Sequence, residues 1–82
     1  MSRWYVYMVR CADDSLYTGI TTDLERRITE HNESPTAAAY TRSRRPVQLV
    51  YSENCADRAS ASSRENKIKN LSRQQKLELI NN

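Results

Sequence analysis

The chain has 82 residues and a mass of 9.5 kDa; 38% of the residues are hydrophobic, the mean hydropathy is −0.85 and the formal net charge is +3. A chain of this length is expected to form one domain over 1–82, with a thin core, because it buries only about 60–65% of the surface its unfolded form exposes. No apolar run approaches the roughly 20 residues of a membrane-spanning helix, and Trp4, five tyrosines and several β-branched clusters argue against disorder.

Arg3 to Arg10 (RWYVYMVR) alternates aromatic and β-branched residues between basic ends, the pattern of a strand. Asp13-Asp14-Ser15 is a turn and Leu16 to Thr21 (LYTGIT) a second strand, so the two form an antiparallel hairpin. Gly19 is the only glycine, and inside a strand it marks a bulge or a close backbone approach. Thr22 with Glu25 reads as a capping box, opening a helix that runs to about His31 or Asn32, ahead of Glu33-Ser34-Pro35. Residues 33–46 form a long connection with two prolines and the cluster Arg42, Arg44, Arg45. Val47 to Ser52 (VQLVYS) is a third strand. Asp57 caps a helix through about Asn70, and Ser72 with Gln75 opens a short terminal helix. The order β-β-α-β-α-α implies an α+β fold, a small three-stranded antiparallel or mixed sheet flanked by three helices.

Two helices break the binary pattern. On the first, Leu24 and Ile28 define an apolar stripe whose i+3 and i+7 places belong to Arg27 and His31, with Arg26 and Glu30 on the solvated face. Either the pair sits at the core margin as snorkelling or ion-paired groups, or one helix face delivers a permanent cation and a titratable imidazole to one spot. On the second, Glu65 lies between Ala61 and Ile68 on the inward stripe. An inward carboxylate needs a partner, either a salt bridge to Arg64, Lys69 or Arg27, or a metal ion. Tyr7 and Tyr17 on the hairpin read as packing residues with wet hydroxyls when each is taken alone.

Charge is unevenly distributed. Arg42 to Lys76 holds nine Lys/Arg and three Asp/Glu, a balance of +6, and the remainder carries −3. That asymmetry suggests one surface facing a polyanion. Cys11 and Cys55 are too far apart for a zinc motif and read as free thiols of a reducing compartment. The N-terminus lacks a signal-peptide pattern, so a cytoplasmic location is expected.

Tyr5-Val6-Tyr7 and, ten residues on, Tyr17-Thr18-Gly19, followed by Leu24-Glu25-Arg26-Arg27 with His31-Asn32 and by Arg64-Glu65-Asn66-Lys67-Ile68-Lys69, resemble the motifs of the GIY-YIG endonuclease superfamily. The likeness spans nearly the whole chain and is nearest to small stand-alone bacterial members. Tyr5 stands in place of the first motif's glycine, Ile20 where DNA-repair members place a basic residue, and Glu33-Ser34-Pro35-Thr36 where relatives often carry glycines.

The resemblance implies a metal-dependent hydrolase of DNA phosphodiester bonds, with branched or nicked DNA as substrate and a role in repair or recombination. Its site residues would be Tyr7, Tyr17, Arg27, His31 and Glu65. Glu65 would hold Mg²⁺ or Mn²⁺, Arg27 a nonbridging oxygen, and Tyr17 would take the proton of the attacking water; His31 is the other choice of base. Arg42, Arg44, Arg45, Lys67, Lys69, Arg73 and Lys76 are expected to grip the DNA backbone. With no residues left for a specificity domain, a homodimer or a partner protein would supply selectivity. The competing expectations are a nucleic-acid-binding module of the same fold without turnover, and a small basic structural or RNA-associated protein.

Overall fold

The structure, a computed structural model, describes residues 3–34 and 39–81. Strand β1 (Trp4–Arg10) is the middle of a three-stranded sheet, between β2 (Leu16–Thr21) and β3 (Gln48–Cys55), and both pairings are antiparallel. Its position follows from its composition. Val6, Tyr7, Met8 and Val9 are all buried, which only a strand covered on both faces allows.

The faces divide by parity. Tyr7 and Val9 join Cys11 and Val47 in one cluster, against which Tyr17, Leu24 and Ile28 pack. Val6 and Met8 join Ile68 in a second, closed by Ile20, Val50, Tyr51, Cys55, Leu79 and Ile80. Helix α1 (Leu24–Glu33) therefore covers the first face, and α3 (Arg58–Lys69) and α4 (Arg73–Asn81) the second. Met8 pairs with Tyr51 and Val9 with Leu49, so Val50 is an extra residue on β3. That bulge puts Val50 and Tyr51, adjacent in sequence, against the same cluster.

The expected α+β fold is present, with differences at its edges. The cap of α1 is Asp23 instead of Thr22: its carboxylate accepts from the Arg26 amide at 3.0 Å. Thr21 completes the corner, its hydroxyl accepting from the Asp23 amide at 3.1 Å. Glu25 is then too close to the cap to close a capping box. Helix α1 runs on to Glu33 and ends at Ser34, whose extended backbone (φ −82°, ψ 136°) suits a residue before proline. Glu30, expected on the solvated face, lies near Arg27, 3.5 Å from its Nη1.

Within the connection read as a loop, Ala39–Arg42 forms a single helical turn, α2; residues 35–38 lie outside the described residues. Strand β3 continues to Cys55, past the expected Ser52, because the central strand carries its ladder to Trp4 opposite Cys55. The other caps fall where the sequence puts them. Asp57 accepts from the Ser60 amide, Asn70 ends α3, and Ser72 and Gln75 bond each other's backbone amides reciprocally. Asn32 clamps the end of α1 to the start of β3, accepting from the Val47 amide at 2.6 Å and donating to the Val47 carbonyl at 3.1 Å. Cys11 and Cys55 are free thiols, the first buried and the second half-buried. Among the described residues no helix is long and apolar enough to cross a membrane.

Candidate functional site

Odd-numbered residues of β1 and β2 face α1, which sets Tyr7 beside Gly19 and Tyr17 beside Val9. Gly19 is the close approach that its place in a strand suggests: a Cβ there would lie 2.6 Å from the Tyr7 hydroxyl oxygen. The phenol of Tyr7 thus passes over the β2 backbone and reaches α1. There Arg27 and His31, one helical turn apart, meet it together. Tyr7 Oη lies 2.7 Å from His31 Nε2, and Arg27 Nε donates to the same oxygen at 3.3 Å. The other imidazole nitrogen, Nδ1, is 2.8 Å from Thr41 Oγ1 on α2.

The proton positions follow from the environment. Burial, reinforced by the Arg27 charge, drives the His31 pKa down to about 4, so the ring is neutral. Burial pushes the Tyr7 phenol up to about 12 despite the Arg27 hydrogen bond, so it stays protonated. With Arg27 occupying a lone pair of the oxygen, the phenol's own proton goes to Nε2. His31 then carries its hydrogen on Nδ1 and donates to Thr41. The result is a buried chain, Arg27–Tyr7–His31–Thr41, in which both imidazole nitrogens are engaged.

Tyr17 stands at the wetter end of this chain. It is half-buried, its ring edge-on to His31 (centroids 5.4 Å apart, 70°) and stacked on Tyr40 (5.7 Å, 28°). Glu65 comes from α3, which packs against β1 and β2. Its side chain is 20% exposed and pairs with Lys69 at 3.4 Å, one of the three salt-bridge partners open to it from sequence. Its negative charge is felt at the Tyr7 phenol, where it adds to the upward shift. The hairpin and α1 thus gather Tyr7, Tyr17, Arg27 and His31 through contacts linking one to the next, and the Glu65 carboxylate acts on Tyr7 through space.

Among the described residues no three His, Cys, Asp or Glu side chains cluster as a metal cage. One half-buried carboxylate fits a hard cation that keeps most of its waters and takes phosphate oxygens, as Mg²⁺ does; it does not fit zinc.

The seven basic residues expected along the DNA separate into two groups. Arg44 Nε pairs with Asp13 at 3.0 Å, its Nη1 donates to the Tyr40 carbonyl at 2.8 Å, and its guanidinium sits 4.0 Å over the Tyr40 ring. Arg45 donates to the carbonyls of His31 (2.6 Å) and Ser34, closing the end of α1. Lys69 holds Glu65, and Arg73 holds Asp14 at 3.1 Å. Arg42 and Lys67 are exposed, and Lys76 is half-buried on α4. Sequence reasoning missed Thr41 and Tyr40, which lie in what read as loop; an aromatic beside a basic cluster was the one available signal.

The strand order, the paired tyrosine motifs across the hairpin and the arginine and histidine on the first helix define a class of nuclease-like domain. The chain belongs to the GIY-YIG catalytic domain family, whose model matches residues 3–78. It is 62% identical over 77 residues to a UPF0213 protein of Desulfotalea psychrophila, covering 94% of this chain and 70% of the relative. It is 52% identical over 80 residues to one of Staphylococcus haemolyticus, covering 98% and 96% of the two chains. The solution NMR structure of a UPF0213 protein from Bacillus halodurans is similar, with a TM-score of 0.61 at 42% identity over 96% of this chain and 83% of that one.

Proposed function

We propose that the protein is a divalent-metal-dependent endonuclease that hydrolyses DNA phosphodiester bonds, with branched or nicked DNA as its substrate. The observation that carries this reading is the placement of Tyr17, a partly exposed phenol fixed between His31 and Tyr40 beside the Tyr7–Arg27 pair. The two tyrosines differ in what they can do. Tyr7 is buried and held protonated near 12, so it positions its neighbours. Tyr17 is the more exposed of the two phenols, and it is the proposed proton acceptor from the attacking water. His31 is poorly suited to that role, since it is fully buried and both its nitrogens are engaged.

Arg27 has its Nε fixed on Tyr7 and its Nη1 3.5 Å from Glu30, which aims the guanidinium, and its Nη2 can hold a nonbridging phosphate oxygen. Glu65 would hold Mg²⁺ or Mn²⁺, which when bound supplies Lewis acidity at the phosphate and the leaving oxygen. The Lys69 ion pair is no obstacle: it is a single 3.4 Å contact to a lysine whose side chain is 49% exposed, and a divalent cation at Glu65 would displace it. Lys67 and Lys76 are the proposed backbone contacts, and a second copy or a partner protein would add selectivity.

The same ion pair is what favours the second reading, a nucleic-acid-binding module without turnover in which Lys69 permanently neutralises Glu65. Incubating the protein with single-stranded, duplex, flapped and forked DNA in Mg²⁺ decides between them. Cleavage that EDTA stops supports the nuclease; metal-independent binding with every strand intact supports the module.

A further inference from the structure

Four side chains stack from the buried chain outward to solvent. The His31 ring meets the edge of Tyr17, Tyr17 stacks on Tyr40, and the Arg44 guanidinium carbon lies 4.0 Å from the Tyr40 ring centroid. The outer end of this column is open. Tyr40 is 40% exposed, one of two exposed large hydrophobic residues among the described residues, and the Arg44 side chain is 35% exposed.

An exposed arginine normally samples many rotamers, whereas this one is tied down at three points. Nε is on Asp13, Nη1 is on the Tyr40 carbonyl, and Cζ sits over the Tyr40 ring. The Asp13 carboxylate already neutralises the charge that a phosphate would use. What remains on offer is the outer side of a guanidinium backed by a phenol, and unpaired nucleobases stack on arginine guanidinium groups.

We propose that Tyr40 and Arg44 form a stacking platform for an unpaired DNA base next to the scissile phosphate, so that the protein prefers strands with at least one unstacked nucleotide. The platform takes its place beside a scissile phosphate from the nuclease reading above, on which it rests in that respect. Arg44 thereby acts through its plane and not through its charge. A base in a duplex, stacked on both sides, cannot join the column, and any unpaired base can, because every base has a π-face. Selection would therefore be for strand structure and not for sequence.

The test is 2-aminopurine placed at successive positions of a single strand, a flap and a duplex, titrated with the full chain in EDTA so that no strand is cut. Quenching is expected at one or two unpaired positions and nowhere in the duplex. Tyr40→Ala and Arg44→Lys should each weaken binding to the unpaired substrates about tenfold. Duplex affinity and the salt dependence of binding should stay as in the parent, since no phosphate contact is lost. Tyr40→Phe keeps the ring and should behave as the parent, which guards against a misfolded Tyr40→Ala. The proposal is overturned by absence of quenching, by no binding to unpaired DNA, by equal losses for duplex and single strand, by a flatter salt slope in the charge-removing variant Arg44→Gln, or by tighter binding to single-stranded RNA than to DNA of the same sequence. The two readings separate cleanly. Cleavage in Mg²⁺ without quenching in EDTA removes the platform and leaves the nuclease, and quenching without cleavage does the reverse.

Discussion

Tyr7 and Gly19 face each other across β1 and β2, and the phenol of Tyr7 fills the space where any other residue at position 19 would carry its Cβ. The site therefore begins with a missing side chain. Tyr7 cannot swing aside, because it is 1% exposed and its hydroxyl is held by His31 and Arg27.

Gly19→Ala should destabilise the fold by about 1–3 kcal/mol through overpacking. Tyr7→Leu removes both the hydroxyl oxygen and Cζ, the atoms 2.6 and 2.8 Å from the new Cβ, so in the double variant the two losses should be non-additive. Urea titrations of the four proteins measure the coupling, and simple additivity would contradict the contact.

The burial of His31, reinforced by the Arg27 charge, predicts a pH signature. The folded-state pKa of His31 lies at about 4, below the ordinary 6.5, so between those values the unfolded chain binds a proton that the native chain refuses. This contribution to stability is complete above pH 6.5 and is lost as pH falls toward 4, by roughly 3 kcal/mol in all. The carboxylates of Asp13, Glu53 and Asp57, held below their usual range by hydrogen bonds to Ser15, Arg64 and Ser60, add their losses only at lower pH. Stability measured between pH 4.5 and 7 should rise with pH in the parent and be flat in His31→Asn.

Phenylalanine at each tyrosine separates support from chemistry. Tyr7→Phe leaves His31 Nε2 buried without a donor and should cost about 1–3 kcal/mol of stability. Tyr17→Phe keeps the stacking on Tyr40 and should shift stability by no more than about 0.5 kcal/mol, while cleavage falls about a hundredfold or more. Thermal melts and rates on the same preparations check both, and a Tyr17→Phe variant that cuts at the parental rate would remove Tyr17 from the chemistry.

Much of this architecture was legible in the sequence, for identifiable reasons. The strand β1 and its hairpin announce themselves through β-branched and aromatic residues around a polar turn, and Asp57 and the Ser72–Gln75 pair mark helix starts through local hydrogen bonding. Arg27 and His31 stood out because they occupy an apolar stripe. The misses were tertiary. Asp23 outcompetes Thr22 as cap because the Thr21 hydroxyl engages the Asp23 amide and shapes the corner. The extension of β3 through Glu53 and Asn54 comes from the ladder offered by β1, against weak strand propensity. Thr41 and Tyr40 gain their places only because α2 folds back onto α1, and the fates of Arg44, Arg45, Lys69 and Arg73 depend on acceptors that a linear reading cannot bring near.

The most direct measurement is the rate at which the parent and Glu65→Ala cut a forked or flapped DNA under saturating Mg²⁺, with melting temperatures recorded on the same samples. The account predicts cleavage by the parent and a fall of about a hundredfold or more in the variant at an unchanged melting temperature. A Glu65→Ala protein that cuts as fast as its parent would contradict it.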